Sequence, residues 1–301
     1  MKSAAEPIGF IGLGNMGGPM ARRLADAGHP LVVCDPSAGA TEWFASHGHA
    51  VAETPRSVAD RCEIVFASLP TPGVVREVAL GADGVVQGSR IKLFIDTSTT
   101  GPDVAEEVHA ALAARGVETL DSPVSGGIAG AQSGKLTLMV SGSAASIDRA
   151  RTLFEVLGRI FVVGDAAGQG QTMKVLNNLL AATSLAATAE ILALGVKAGL
   201  APQTMLGIVN AGTGRNFMTE NLFPKAVEDP EFAGGMNCRL MFKDVRLGLD
   251  VADKHQVPLW VGVAVRQLWS IAAAQTPAGD FMRILQLAEA SAGVRVVPPK
   301  A

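Results

Sequence analysis

The sequence predicts an α/β domain on a mainly parallel sheet, then a long connecting helix and an all-α C-terminal domain. Three observations carry this. Short β-branched runs alternate with amphipathic segments as far as Asp165, a glycine-rich turn follows the first run, and helical periodicity fills the remainder. These features place one domain at residues 1–165 and a second at 166–301, with the long helix at about 168–197.

Taken in order, the strand-like runs are IGFIGL, LVVCD, EIVFASL, KLFIDTS, VETLDS, LTLMVSG and FVVGD. A helix reaching Ala27 follows the first, and another helix follows the second. Alternation of this kind is the pattern of βαβ units. Beyond Asp165 the spacing of apolar residues predicts helices over 168–199, 202–211, roughly 236–255 and 258–274, with no comparable strand run and no internal repeat. The helix near 168–197 is apolar on most faces and needs cover all round, which one small bundle does not easily supply. A homodimer or homotetramer is therefore expected.

At 301 residues with a net charge of -3 and no blocks of like sign, the chain has no electrostatic footprint for nucleic acid or an anionic membrane. Small molecules are the expected partners. Every long apolar stretch looks interrupted by Pro, Gly, Asn or charge before the roughly 20 residues of a spanning helix, so no membrane segment is expected. MKSAAEPIGFIGLG leaves no room for a secretory leader before the first strand, and a cytoplasmic protein is expected. Cys34, Cys62 and Cys238 are widely spaced without a C-x-x-C pair and read as reduced, buried thiols. His47 and His49 could share a strand face, but two histidines without a third ligand make a poor metal site, and no metal is expected.

GFIGLGNMGGPM holds Gly12, Gly14 and Gly17 as G-x-G-x-x-G between a strand and a helix. Gly12 permits the tight turn, Gly14 lets the main chain approach a pyrophosphate, and Gly17 lets helix and strand pack closely. With Leu13, Asn15 and Met16 they form a dinucleotide-binding loop whose helix N-terminus faces the negative charge, the mark of a Rossmann-type domain. The next strand ends in Asp35, 18 residues beyond Gly17. There a carboxylate accepts hydrogen bonds from ribose hydroxyls and repels a 2′-phosphate. No Arg follows to neutralise such a phosphate, so NAD is expected over NADP.

Two further stretches suggest chemistry. DSPVSGGIAGAQSG, residues 121–134, is too glycine-rich to be read as regular structure. Ser125, Gly126 and Gly127 could turn a hydroxyl and unhindered N–H groups toward an anion such as a carboxylate, or could form a flexible surface loop. In GQGQTMKVLNN, Lys174 and Asn178 are four residues apart on one helix face. An amine there can exchange the proton of a hydroxyl while the amide holds its oxygen. Burial and the nearby helix N-terminus should lower the amine's pKa. The alternative is a lysine that snorkels to solvent.

The fingerprint, DSPVSGG and GQGQTMKVLNN together resemble the β-hydroxyacid dehydrogenases, which include 3-hydroxyisobutyrate dehydrogenases and tartronate semialdehyde reductases. LP at Leu69 and Pro70, DTST at Asp96 to Thr99, TGRNF at Thr213 to Phe217 and LMFKD at Leu240 to Asp244 extend the resemblance over nearly the whole chain. It implies NAD(P) contacts by the fingerprint, Leu69, Pro70, Thr99 and Lys243. It also implies a substrate carboxylate at Ser125, Gly126 and Gly127, with Lys174 as acid/base beside the nicotinamide and Asn178 orienting the reacting oxygen. The implied reaction moves hydride between NAD and a small β-hydroxy acid or its semialdehyde.

Departures qualify the resemblance. The 6-phosphogluconate dehydrogenase branch carries His and Glu where this chain has Asn177 and Ala181, so oxidation without assisted decarboxylation is expected. Imine reductases of this fold usually lack the lysine. Phe217 and Met236 stand where 3-hydroxyisobutyrate dehydrogenases often have Trp and Phe, which leaves the substrate open. Two other readings remain at this point: a reductase of larger or imine-like carbonyl compounds, and a non-catalytic NAD-binding scaffold.

Overall fold

The computed structural model describes residues 6–297. The leader expectation rests partly on residues 1–5, which lie outside that range. The chain divides into two compact units, Met1–Lys174 and Val175–Ala301.

The N-terminal unit is built on nine strands among the described residues: β1 (Ile8–Ile11), β2 (Leu31–Cys34), β3 (Ala50–Val51), β4 (Ile64–Ala67), β5 (Leu93–Asp96), β6 (Glu118–Asp121), β7 (Val124–Ser125), β8 (Leu136–Ser141) and β9 (Gly158–Gly164). The first six pair in parallel in the order β3-β2-β1-β4-β5-β6. β8 runs antiparallel to β6 and β7, and β9 lies parallel to β8. The chain reverses its winding between β1 and β4, and such a switch point opens a crevice at the carboxyl ends of the strands.

A parallel sheet covered on both faces needs apolar residues on both, and β1, β2, β4 and most of β5 supply them. Phe10, Leu31, Val33, Phe66 and Ile95 turn to one face, where Met20 and Leu24 of helix Gly17–Asp26 and Phe154 of helix Ala144–Leu157 close over them. Phe66 stacks on Phe10 at 5.8 Å between ring centroids and meets Phe154 edge-on at 6.1 Å. Ile11, Val32, Val65, Ala67 and Phe94 turn to the other face against Val58, Val75 and Val108.

Several local expectations need correction. β3 and β7 are two residues long, too short to show any periodicity. Within the glycine-rich segment, Gly127–Ser133 is a helix, because its Ile, Ala and Gln residues favour one and Gly134 ends it in the left-handed region at φ 68°. His47 lies on no strand. It closes helix Ala38–Ser46 and stacks on Trp43 at 4.1 Å, while His49 Nδ1 accepts the Leu31 N–H. All three cysteines are buried and free, as the sequence suggests.

The long helix spans Gln169–Lys197, and its residues as far as Lys174 belong to the N-terminal unit. In the C-terminal unit its buried Ala182, Leu185, Ala186 and Ala189 pack with Trp269 and Phe223, and the Trp269 indole N–H donates to the Ala182 carbonyl at 3.2 Å. Helices Pro202–Ala211, Cys238–Lys254 and Trp260–Gln275 lie close to the expected spans. Phe217–Asn221, Phe223–Glu228 and Arg283–Ala292 are additional: two are too short to reveal a period, and the third carries an apolar stripe at Ile284, Leu285 and Ala288 that the expected spans omit.

The long helix comes nearest to a spanning segment among the described residues, although Glu190 interrupts it. Its 29 residues include an 18-residue window of mean hydropathy 1.8, enough by length and composition to cross a membrane. Asn177 and Asn178 fall near one end and Gly195 near the other, so only Glu190 interrupts with charge. Half of that window is buried within the chain, the pattern that a core helix also shows.

Candidate active site

The fingerprint glycines do three separate jobs. Gly12 has φ 88°, and a Cβ there would come within 2.3 Å of the Ser68 carbonyl oxygen. At Gly17 a Cβ would sit 1.9 Å from the Gly12 oxygen, so only glycine allows helix and turn to close together. Gly14 differs, since a Cβ there would meet nothing within 4 Å. No protein neighbour explains that glycine. Open space above the main chain at a helix N-terminus is what the approach of a pyrophosphate requires, so these residues fit a dinucleotide.

Asp35, just past β2, ties this turn down. Its Oδ2 accepts the Leu13 N–H at 2.7 Å and its Oδ1 accepts the Ser37 N–H at 2.8 Å. Each oxygen keeps a second lone pair for a ribose hydroxyl.

The loops after β4 and β5 continue the same rim. The Leu69 N–H donates to Ser98 Oγ at 2.8 Å, and Thr97 Oγ1 donates to the Ala67 carbonyl at 2.7 Å. Gln171, fully buried on the long helix, bonds the β5 loop through both ends of its amide. Nε2 donates to the Ser98 carbonyl and Oε1 accepts the Thr100 N–H, each at 2.9 Å. Thr99 is the residue between them, and it is half-buried.

The segment after β6 extends this end of the sheet. Asp121 pairs with Ser141, Val124 with Leu138 and Ser125 with Thr137, one continuous antiparallel register. The register carries Ser125 beyond the carboxyl end of β6, half-buried, with Gly126 at φ 131° and Gly127 at φ 63° turning the chain. A Cβ on Gly127 would meet nothing within 4 Å, so the turn and the open space beside it both suit glycine.

Asp121 also fixes the start of the long helix. Its carboxylate accepts the Gly168 and Gln171 N–H groups at 3.2 Å each and the Ser141 hydroxyl at 2.6 Å, while Ser141 Oγ accepts the Gly170 N–H at 2.8 Å. N–H groups that the helix leaves unpaired thus find acceptors without an N-cap side chain of their own. Burial raises the Asp121 carboxyl above the usual carboxylate range, while the hydrogen bonds from Ser141, Gly168 and Gln171 pull it back.

Lys174 follows on this helix and is buried, at 7% exposure. That burial is at odds with a side chain snorkelling to bulk solvent. Asn178 lies one turn further on in the C-terminal unit, 6% exposed. Its Nδ2 donates to Asp244 Oδ2 at 2.6 Å and its Oδ1 accepts from Asn177 Nδ2 at 3.1 Å. This pair of bonds fixes the amide's orientation and leaves one N–H of Nδ2 to donate. Lys243 Nζ stands 3.0 Å from Asp244 Oδ1, which screens a carboxylate only 1% exposed.

The candidates therefore fall into two sets. Gly12 to Gly17, Asp35, Leu69, Pro70, Thr99, Ser125 to Gly127 and Lys174 belong to the N-terminal unit, and Asn178 and Lys243 to the other. Asp121, Gln171 and Asp244 are structural partners that the sequence reasoning did not single out. Each sits inside a motif it did single out, but nothing in the sequence marks them as buried.

Comparison with known proteins places the chain in a family. Residues 7–164 match the family described as the NAD binding domain of 6-phosphogluconate dehydrogenase. Residues 168–288 match the one described as NAD-binding of NADP-dependent 3-hydroxyisobutyrate dehydrogenase. Fold and matches together define a nicotinamide-nucleotide-dependent oxidoreductase. A 3-hydroxyisobutyrate dehydrogenase of Pseudomonas aeruginosa is 39% identical over 291 residues, covering 93% of this chain and 97% of that one. The 2-(hydroxymethyl)glutarate dehydrogenase of Eubacterium barkeri is 34% identical, covering 96% and 97%. Among solved structures, the Mycobacterium tuberculosis 3-hydroxyisobutyrate dehydrogenase with L-serine superposes with a TM-score of 0.85 at 33% identity, covering 94% of this chain and 99% of that one. The chain belongs to the β-hydroxyacid dehydrogenase family, in the group related to 3-hydroxyisobutyrate dehydrogenase.

Proposed function

We propose that the protein interconverts a small β-hydroxy acid of the 3-hydroxyisobutyrate type and its semialdehyde, with Lys174 as acid/base and NAD preferred to NADP. The observation that carries this is Lys174 itself, an amine buried to 7% exposure one helical turn from an amide of fixed orientation. NAD(P), when bound, takes or returns the hydride. In oxidation Lys174 accepts the hydroxyl proton of the substrate, and in reduction it returns that proton to the same oxygen. Asn178 donates its remaining N–H to that oxygen and stabilises the charge developing there. Ser125 Oγ and the N–H groups of Gly126 and Gly127 hold the carboxylate. With Asn177 and Ala181 where the decarboxylating branch carries His and Glu, the reaction ends at the carbonyl product without assisted decarboxylation.

The preference for NAD rests on Asp35, and a cytoplasmic location remains part of the proposal. So does a homodimer or homotetramer, supported by the long helix, which leaves Leu180 67%, Ile191 54% and Leu194 63% exposed in the single chain. Sedimentation equilibrium reads the oligomeric state directly.

Replacing Lys174 by Met keeps the stem and deletes the amine. Loss of a positioned acid/base costs about 10² to 10⁴ in rate. Lys174→Met should therefore lose at least a hundredfold in kcat while still binding NADH by fluorescence titration. Retention of more than about a tenth of wild-type kcat, with chemistry limiting, would overturn the assignment. A panel of 3-hydroxyisobutyrate, serine, glycerate, threonate and 2-(hydroxymethyl)glutarate, with tartronate semialdehyde in reverse, identifies the substrate.

A further inference from the structure

We propose that Gln171 is a positioning residue that sets the register between the cofactor loop after β5 and the acid/base Lys174, an inference that rests on the reading of Lys174 and Thr99 given above. Its amide is fully buried, and both polar atoms bond the backbone of one loop, on the residues flanking Thr99. Ser98, one of those residues, also holds the Leu69 N–H through its hydroxyl. Two of the expected cofactor contacts, Leu69 and Thr99, thus hang from a loop clamped by Gln171.

At the other end of the device, Gln171 precedes Lys174 by three residues, which in a helix is about 4.5 Å of rise and nearly one full turn. The helix is fixed where this turn starts, because Asp121 and Ser141 accept the N–H groups of Gly168, Gly170 and Gln171. The loop therefore moves with the helix that carries the amine. Packing alone would be served by Met or Leu at this position, without the cost of burying an amide. Hydride and proton transfer to one substrate need reacting atoms held to a fraction of an ångström, and a misplacement of about 1 Å costs on the order of a hundredfold in rate.

The test uses the whole enzyme and two substitutions. Gln171→Met keeps length and volume and leaves the Ser98 carbonyl and Thr100 N–H unpaired, whereas Gln171→Glu keeps an acceptor for Thr100 and loses the donor. We expect Gln171→Met to lower kcat at least tenfold, with NADH affinity changed by less than about threefold. The primary isotope effect with NADH deuterated at the transferred position should rise, because hydride transfer becomes more rate-limiting. Without any cofactor, amide hydrogen exchange at Thr100 should accelerate in the Met variant, and less in the Glu variant.

Turnover within twofold of wild type in Gln171→Met overturns the proposal. So does a loss of kcat with an unchanged isotope effect, or one matched by equal losses of NADH affinity and thermal stability. If the Met variant does not fold, the same measurements on Gln171→Glu decide. Lys174→Met serves as the control that separates the two readings. Turnover retained there removes the acid/base assignment, whereas an inactive Lys174→Met beside fully active Gln171 variants removes the register alone.

Discussion

Asp35 Oδ2 accepts the backbone N–H of Leu13 at 2.7 Å, so the carboxylate expected to face the ribose also pins the turn expected to hold the pyrophosphate. The two halves expected of a dinucleotide site are joined through one side chain. With NAD we expect kcat/KM to exceed that with NADP by at least about tenfold, from one lost charge-assisted contact plus repulsion of a 2′-phosphate. Asp35→Asn keeps an acceptor for Leu13 while removing the charge, and should narrow that ratio. Equal efficiency of the wild type with both cofactors would count against the assignment.

The glycines of the fingerprint should separate cleanly by substitution. Gly14→Ala adds a methyl to open space and should leave Tm nearly unchanged while weakening NADH binding about tenfold or more. Gly17→Ala drives a methyl into the Gly12 carbonyl and should cost roughly 1–3 kcal/mol of stability, as overpacking usually does. Paired thermal melts and fluorescence titrations check both. A destabilised Gly14→Ala, or a fully stable Gly17→Ala, would contradict the division of roles.

Asp121 should impose a pH dependence of known sign. Burial raises its folded-state pKa above the ordinary 3.8, so the folded protein holds an extra proton in the window above that value. The stability this group contributes is complete below 3.8 and is lost as pH rises through the folded value. Asp121→Asn has no such titration. Whatever the difference in Tm at low pH, it should shift in favour of the Asn variant as pH rises from 3.8, and parallel curves for the two proteins would refute the shift.

Burial pushes the Cys62 thiol up to about 12 and raises Cys34 and Cys238 as well. At pH 8 the thiolate fraction of Cys62 is on the order of 10⁻⁴, and thiolate is the reactive form. Native protein should react slowly with an aromatic disulfide reagent, and denatured protein should release three thiols per chain. A fast native phase would mark a cysteine more accessible than its burial allows.

Much of this was legible in the sequence, for physical reasons that name its limits. Strands such as LVVC and IVFA announce themselves because both faces are covered and every position must be apolar. Gly12 and Gly17 are legible because backbone geometry admits no substitute at the turn and at the close helix–turn contact, whereas Gly14 is legible through the motif spacing alone. Lys174 stood out because an amine interrupts an apolar helix. Gln171 and Asp121 did not, since an amide and a carboxylate become informative only when their burial and partners are known, and those partners lie 73 residues from Gln171 at Ser98 and 47 from Asp121 at Gly168. The helix Gly127–Ser133 was hidden by its glycines, and β7 by its two-residue length.

The register that Asp121, Val124 and Ser125 share against β8 constrains how this segment can vary in length. Alternation along it sends Leu120 and Val124 into the sheet's core and leaves Asp121 and Ser125 on the opposite face. Deleting or inserting one residue between Asp121 and Ser125 would reverse that parity. Either the carboxylate would leave the helix start or the serine would turn inward, because a slip of one residue exchanges the faces of a strand. Chemical changes on that stretch are negotiable one side chain at a time, whereas its count of residues is not. Indels should be accepted only past the ladder, within Gly127–Ser133, where an added or missing residue changes the reach of the turn and preserves the parity of Asp121 and Ser125.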